Sequence, residues 1–311
     1  MKYEIRQLRR RDIAQVVQGW NACLPYDKIS GEMLESIVFG DPNFEEEGNI
    51  VATFEKMVVG FSSAVAREGV SGRDGRGLGH EKDFGYIKGL FVLEEHQSEG
   101  LKVALLNSAL KFLRSKGKKI AKVGQYTGRF FFPGIDKRYE KELRFYRENG
   151  FEEVDTEEDV ALDLTTFQPT EYQRKAQQRA KDIGVVIEPY QPKYLEKMRR
   201  FVERLNYPQW FPEGWELNFA KEGNTLVALQ GADVVGWASF HPSPDGGDFG
   251  PIAVLEELRG NGIGTCLLLE SVLRMKELAT PNVTARWANV PFYIKNGWKI
   301  SRRYTVLQRE L

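Results

Sequence analysis

The chain of 311 residues is poor in the residues that build metal sites and disulfide frameworks, with three histidines and two cysteines. Cys23 and Cys266 are far apart in sequence and have no metal-binding spacing. The 44 basic residues balance 44 acidic ones, which argues against nucleic acid or an anionic membrane as the main partner. No apolar run is long enough to cross a bilayer, and no N-terminal signal is evident. We therefore expect a cytoplasmic protein without a bound metal ion.

The most informative segment is VLEELRGNGIGTCLL at 254–268, which runs from a predicted strand through a loop into a predicted helix. The first turn of a helix stabilises an anion, because its backbone N–H groups lack partners and carry the positive end of the dipole. Gly262 and Gly264 place no Cβ near those amides, and Arg259 can add a charge-assisted contact. The segment predicts a phosphate site, with a glycine-rich turn without ligand as the alternative. A dinucleotide-binding loop fits poorly, because its third glycine would fall at Thr265.

A second signal lies downstream in WANVPFYIKNGW at 287–298. The apolar residues predict a short helix, and the Asn296–Gly297 pair suits its left-handed end. Tyr293 on this helix has two interpretations. It is either a packed aromatic residue with a satisfied hydroxyl or, beside a phosphate site, a proton donor.

At these residues the chain resembles the GNAT superfamily of N-acetyltransferases, whose acetyl-CoA loop reads [RQ]-x-x-G-x-[GA]. The resemblance implies an α/β fold, with a mixed, mostly antiparallel sheet and helices on both faces. It implies acetyl-CoA as cosubstrate, direct attack by an amine without a covalent enzyme intermediate, and Tyr293 as the general acid. It also implies that the pantetheine arm bonds to the strand before the loop. The predicted cofactor-binding residues are Ile252, Ala253, Val254, Arg259, Gly260, Asn261, Gly262, Ile263, Gly264, Thr265 and Asn289.

The same signals occur earlier in the chain, which indicates an internal duplication. VLEEHQSEGLK at 92–102 aligns with VLEELRGNGIG at 254–264, and FYRENGF at 145–151 aligns with FYIKNGW at 292–298. We predict two tandem GNAT-like domains at 1–168 and 180–311, an arrangement similar to the mycothiol synthase type. The charged segment at 171–182 between them predicts a solvated helix.

The first copy departs from the pattern where a phosphate would bind. Lys102 replaces the last glycine, and Glu99 adds a negative charge that Lys102 could offset by pairing. Gln97 and Gly100 still fit, and Tyr146 keeps the position of Tyr293. We expect a degenerate first domain that is structural or shapes the substrate site, with weak cofactor binding left open.

Two residues near the start of the central strand are candidates for the general base. Asp248 is the first, although an aspartate after a turn is commonly a local backbone acceptor. His241 is the alternative, since its ordinary pKa suits that role. A base is needed because the attacking amine must be neutral.

The acceptor is predicted only by class, as a small-molecule or peptide amine. Aromatic and acidic residues in NYPQWFPEGWELNF at 206–219 could form its site, with Glu213 or Glu216 pairing an ammonium group, or they pack as an ordinary short helix. The predicted function is an acetyl-CoA-dependent N-acetyltransferase with an active second domain. The alternative is a non-catalytic acyl-CoA-binding or regulatory module. The oligomeric state is left unpredicted.

Overall fold

The computed structural model describes residues 2–67, 82–96, 100–126, 129–205 and 223–311. Its contacts divide the chain into two compact units. The first unit comprises Met1–Glu157 together with Tyr304–Leu311, and the second comprises Glu158–Arg303. Both units are α/β, which confirms the predicted fold class. The ranges 1–168 and 180–311 stay a prediction for the domain boundaries.

Among the described residues, the sheet of the first unit has the order β1, β2, β3, β4, β5 and the end of β13, and the short β6 also pairs with β13. The β4–β5 pair is parallel, and the other neighbours are antiparallel. The elements are β1 (Glu4–Gln7), α1 (Ile13–Cys23), α2 (Gly31–Leu34) continuing into a π-helical turn (Glu35–Phe39), β2 (Asn49–Phe54), β3 (Met57–Ala66), β4 (Phe84–Val92), α3 (Leu101–Ser115), β5 (Ile120–Val123), β6 (Ile135–Asp136), α4 (Glu140–Glu148) and the start of β7 (Glu152–Asp163).

The second unit repeats this plan with the strand order β8, β9, β10, β11, β12 and the end of β7. Here the parallel pair is β11–β12, and the other neighbours are antiparallel. The elements are α5 (Glu171–Asp182), β8 (Val185–Pro189), α6 (Leu195–Leu205), β9 (Thr225–Gln230), β10 (Asp233–His241), β11 (Gly247–Val254), α7 (Ile263–Glu277), β12 (Asn282–Ala285), α8 (Val290–Lys295) and the start of β13 (Lys299–Glu310).

Each unit contains part of a strand that continues into the other unit, the end of β13 in the first and the end of β7 in the second. In the first unit Leu307 of β13 lies opposite Val123 of β5. In the second unit Leu162 of β7 lies opposite Val283 of β12. Each unit therefore contains a strand segment that sequence order alone would assign to its neighbour.

The helix after each glycine-bearing loop packs an apolar stripe on its sheet, as the 3.6-residue periodicity predicts. The stripe residues are buried: Leu105, Leu106, Leu110 and Leu113 in α3, and Leu267, Leu268, Val272 and Met275 in α7. No described helix is long and apolar enough to span a membrane.

The charged helix α5 is solvated on one face only. Gln173, Ala176 and Ala180 are buried, and the helix packs against α7. Its first turn is closed by a capping box, in which Thr170 Oγ1 accepts from Gln173 N and the Gln173 side chain accepts from Thr170 N. The segment predicted as a solvated helix between the two domains is therefore an integral helix of the second unit.

Candidate functional site

In the second unit, part of one edge of β11 is not paired with β12. This strand pairs with β12 at Gly247 and Asp248 only, whereas its pairing with β10 continues to Val254. Leu255 N donates to Val235 O of β10 over 3.0 Å. Because hydrogen-bonding direction alternates along an antiparallel strand, the backbone groups of Ile252 and Val254 point away from β10, toward the side that β12 leaves.

This alternation means that the three predicted cofactor-binding residues of β11 do not all present their backbone groups to the same side. Ile252 and Val254 present N–H and C=O groups that an extended, amide-bearing ligand can pair with, as an added strand would. Ala253 lies opposite Trp237, and its backbone groups face β10. The geometry therefore favours two of the three residues for backbone contacts with a ligand.

The loop after β11 needs glycine at two positions for backbone reasons. Gly260 and Gly262 both have φ near 85°, a left-handed conformation that costs other residues about 1–2 kcal/mol. A Cβ on Gly262 would lie 2.3 Å from Ala176 O of α5, whereas one on Gly260 would meet nothing within 4 Å. Gly262 thus lets the loop pack directly on the α5 backbone.

The first turn of α7, where the sequence predicts an anion site, follows at once. Ile263 and Thr265 are buried, and Gly264 lies between them. A Cβ on Gly264 would stand 3.5 Å from the Phe292 ring of α8, an ordinary contact. The loop residues Arg259, Gly260 and Asn261 are at or near the surface, and the Asn261 side chain donates to Leu258 O. The N–H groups of a first helical turn are left for a ligand to accept.

Tyr293 of α8 lies in an aromatic cluster next to this turn. Its ring centroid is 5.1 Å from those of Phe292 and Trp298 and 6.2 Å from that of Phe249. The residue is 5% exposed, and burial raises the pKa of its hydroxyl well above 10.0. Among the described residues, that hydroxyl has no hydrogen-bond partner. A neutral, unengaged phenol at this place is able to donate a proton.

The two candidate bases are neighbours, but they lie apart from Tyr293. Asp248 and His241 face each other across β10 and β11. Asp248 is exposed, with Oδ1 3.6 Å from Arg286 Nη2. Successive side chains of a strand point to opposite faces, so Asp248 lies on the opposite face from Phe249, whose ring contacts Tyr293. The structure therefore does not bring Asp248 and Tyr293 together.

Other predicted site residues are placed as follows. Asn289 precedes α8 at its N-cap and is exposed, and its carbonyl accepts from Phe292 N over 3.0 Å. The aromatic segment at 206–219, with Glu213 and Glu216, lies outside the described residues, as do Gln97 and Glu99 of the first copy.

The first unit carries an ion pair at positions where the second has Gly264 and Asn289. Lys102 aligns with Gly264, and its Nζ lies 2.6 Å from both carboxylate oxygens of Glu142, which aligns with Asn289. The ammonium group also lies 4.5 Å from the Phe145 ring centroid. Lys102, which the sequence analysis allows to offset Glu99, pairs with Glu142 among the described residues. The ion pair links α3 to α4 at the place where Gly264 of the second unit only approaches a ring.

The structure also reveals a buried polar group that the sequence analysis missed. Lys88 of β4 and Asp41 form an ion pair of 2.7 Å with side chains 2% and 1% exposed. The signal was a lysine within the apolar run YIKGLFV of β4. An interior charge of this kind is retained only with full hydrogen bonding.

Comparison with known families matches both halves of the chain. An acetyltransferase (GNAT) family model matches residues 13–131, and an acetyltransferase (GNAT) domain model matches residues 221–300. No curated protein sequence matches the chain.

Solved structures share the fold over nearly the whole chain. A GCN5-related glucosamine N-acetyltransferase region of a fungal multi-domain β-N-acetylglucosaminidase has a TM-score of 0.80 at 18% identity, covering 99% of this chain and 38% of that protein. This chain thus spans less than half of that relative. A GCN5-related N-acetyltransferase from Sphaerobacter thermophilus has a TM-score of 0.69 at 14% identity, covering 99% and 95% of the two chains. A tandem GNAT protein from the clavulanic acid biosynthesis pathway has 0.68 at 16% identity, covering 99% and 98%.

Proposed function

Since this chain is a tandem GNAT acetyltransferase, we propose that its second unit transfers the acetyl group of acetyl-CoA to a primary amine. The acceptor is a small-molecule or peptide amine. The observation that carries the proposal is the juxtaposition, in one unit, of the open β11 edge, the glycine loop with the α7 N-terminus, and the unengaged Tyr293 hydroxyl.

Each part of the cosubstrate has a counterpart among these residues. The pyrophosphate fits the first turn of α7, where N–H groups and the helix dipole stabilise negative charge. Arg259, Gly260, Asn261, Gly262, Ile263, Gly264 and Thr265 form this turn and its loop. The amides of the pantetheine arm fit Ile252 and Val254 on the open strand edge. Asn289 stands at the start of α8 and is exposed.

The chemistry then requires one bond to form and one to break. The neutral amine attacks the thioester carbonyl, and the carbon–sulfur bond breaks after the carbon–nitrogen bond forms. Backbone N–H groups on the β11 edge can stabilise the negative charge that develops on the carbonyl oxygen. Tyr293 donates its proton to the departing sulfur, and a base takes the proton that the amine loses.

Asp248 is our candidate base, with His241 as the alternative. Because Asp248 is exposed and faces away from Tyr293, it would act through water molecules or on a substrate that reaches around the strand. That separation is the observation that favours the second candidate function, a non-catalytic acyl-CoA-binding or regulatory module.

A thiol-release assay with acetyl-CoA and a panel of amines separates the two functions. The panel contains glucosamine, because a protein of similar fold is described as a glucosamine N-acetyltransferase, together with a polyamine, an aminoglycoside and a peptide with a free N-terminus. We expect thiol release above the hydrolysis rate with at least one amine. Acetyl-CoA binding by calorimetry without thiol release from any amine would favour the non-catalytic module.

A further inference from the structure

A buried glutamine joins helix α5 to the end of helix α8, the helix that carries Tyr293. Gln173 is 1% exposed, although α5 is rich in charged residues. Its Nε2 donates to the carbonyl oxygen of Asn296 over 3.3 Å and to Oδ1 of the same residue over 3.4 Å. Its Oε1 accepts from Thr170 N over 2.9 Å. Both polar ends of this amide are therefore partnered, as a buried amide requires.

Asn296 in turn bonds to the backbone of α8. It is fully buried, and its side-chain amide donates to Phe292 O over 2.9 Å. Its backbone N–H donates to Tyr293 O over 2.9 Å, and Trp298 N donates to the same oxygen over 3.1 Å. Because the last carbonyls of a helix lack partners within it, these bonds close the end of α8 at Tyr293 itself.

Helix α5 also supports the glycine loop before α7. Ala176 lies about one turn after Gln173 on the buried face of α5. Its carbonyl oxygen would lie 2.3 Å from a Cβ on Gly262, so loop and helix are in close contact. The helix therefore touches both parts of the proposed site, the loop through Ala176 and the end of α8 through Gln173. The spacing of these two parts depends on a helix that belongs to neither.

The first unit holds the equivalent position by a different element. Asn149 aligns with Asn296, and its side-chain amide likewise donates to Phe145 O, over 2.8 Å. Its carbonyl oxygen accepts from Arg309 Nη1 of β13 over 2.7 Å, whereas Asn296 O accepts from Gln173. The contact within the helix is thus common to both copies. The contact from α5 is found in the copy that has the complete glycine pattern.

We propose that Gln173 is a positioning residue for the acetyl transfer, an inference that rests on the proposed function of the second unit. Gln173 holds the end of α8 at a fixed place relative to α7, and α8 in turn places Tyr293. Because no described residue bonds to the Tyr293 hydroxyl, the position of that hydroxyl depends on its helix and on ring packing. A small displacement of a proton donor lowers the transfer rate without lowering the affinity for the cosubstrate.

The test compares three variants of the full chain. Gln173→Met keeps the length of the side chain and removes its hydrogen bonds. Gln178→Met is the matched control, since Gln178 lies on the same helix, is exposed, and donates to Asp182 Oδ1. Thr170→Ala removes the side-chain cap of α5 but keeps the Gln173 amide, so it reports the effect of a weaker helix start alone.

Activity is measured as thiol release from acetyl-CoA with the most active amine of the panel. We expect Gln173→Met to lower kcat at least fivefold, with the KM for acetyl-CoA within about twofold of the unmodified chain. Gln178→Met and Thr170→Ala should keep kcat within about twofold. In a Tyr293→Phe background, Gln173→Met should lower kcat little further, because the two residues act together.

A second measurement reads the same contact without catalysis. Hydrogen exchange followed by mass spectrometry should be at least fivefold faster in residues 290–298 of Gln173→Met than in the unmodified chain, because the end of α8 has lost its support. Exchange in residues 140–148, the equivalent helix of the first unit, should be unchanged.

Three results would overturn the inference. Unchanged exchange in 290–298 would show that Gln173 does not hold the end of α8. Faster exchange with an unchanged kcat would show that the contact supports the fold and does not place Tyr293. An equal loss of kcat in Thr170→Ala would assign the effect to the start of α5. Absence of thiol release from the unmodified chain is a different result, which would overturn the proposed function first and the positioning role with it.

Discussion

Lys102 and Glu142 form a two-point ion pair in the first unit, at positions that align with Gly264 and Asn289 in the second. Both residues of the pair differ from their counterparts in the second copy, and each charge compensates the other. A lysine alone would leave a cation against the Phe145 ring, and a glutamate alone would repel an approaching phosphate. Together they place a matched ion pair where the second unit has a glycine and an asparagine. The two copies therefore differ in side chains at the first turn of the helix that follows each loop.

The first prediction concerns the effect of the Lys102–Glu142 pair on the binding of acetyl-CoA to the first unit. A titration of the unmodified chain with acetyl-CoA should give one strong site, with any second site at least tenfold weaker. The double variant Lys102→Gly with Glu142→Asn restores the pattern of the second copy, and it should raise first-unit affinity at least tenfold, or about 1.4 kcal/mol. Titration in a Gly264→Lys background isolates that site. Two equal strong sites in the unmodified chain would contradict the account.

Gly264 provides the complementary prediction. Gly264→Lys imitates the first copy and should weaken acetyl-CoA binding at least tenfold, about 1.4 kcal/mol, because a long side chain would crowd the first turn of α7. Gly264→Ala is the control. Its Cβ would stand 3.5 Å from the Phe292 ring, so it should bind acetyl-CoA within a few-fold of the unmodified chain. Calorimetric titration measures both, and unchanged affinity in the lysine variant would place the pyrophosphate elsewhere.

The third prediction separates two glycines with the same φ. Gly262→Ala should destabilise the protein by more than the ~1–2 kcal/mol that a left-handed residue costs, because its Cβ would also lie 2.3 Å from Ala176 O. Gly260→Ala bears only the conformational cost, since its Cβ would meet nothing within 4 Å. Urea unfolding of both variants gives the difference. Equal midpoints would mean that the loop shifts away from α5 without cost.

The fourth prediction concerns Tyr293. Tyr293→Phe should lower kcat by roughly 10²-fold while the affinity for acetyl-CoA stays within a few-fold. Because burial raises the pKa of Tyr293 above 10.0, the hydroxyl keeps its proton at neutral and mildly alkaline pH. The rate should therefore show no decline from tyrosine ionisation below about pH 10. Equal kcat in the variant would leave Tyr293 as a packing residue.

The fifth prediction concerns acid stability of the first unit. Burial tends to raise the pKa of Asp12, but hydrogen bonds from Arg6 and from Arg9 N outweigh it, and the pKa is lowered below 3.8. The folded state thus holds this proton less tightly than the unfolded state. The resulting stability is present above pH 3.8 and is lost as the pH falls through the folded pKa.

Arg6→Met should therefore move the midpoint of acid unfolding to higher pH, as followed by circular dichroism. Arg10→Met is the matched control. Arg10 pairs with Glu35, but the two side chains are 68% and 42% exposed, and exposed pairs contribute little. A midpoint that moves equally in both variants would show a general effect of lost charge.

Local patterns predicted the parts of the fold that depend on near neighbours. The apolar stripe of α7 and the turn at Asn296–Gly297 follow from residues a few positions apart, and the structure contains both. The two tandem GNAT units were predicted because their motifs repeat. Contacts between distant segments were not predictable in this way. The Lys88–Asp41 pair joins residues 47 positions apart. The close contact of Gly262 with Ala176 of α5 joins residues 86 positions apart and depends on how the helix packs.

The division of β13 between the two units has a consequence for synthesis. Ribosomes release the chain from its N-terminus, and domains generally begin to fold as they emerge. The first unit, however, includes Tyr304–Leu311, and Leu307 is fully buried in its core. Until those final residues leave the ribosome, β5 remains an uncovered edge of the kind that invites aggregation. The half of the protein made first is therefore completed after the second, and a stop codon after Arg303 would remove the outer β13 segment of the first unit while leaving every residue of the second unit in place.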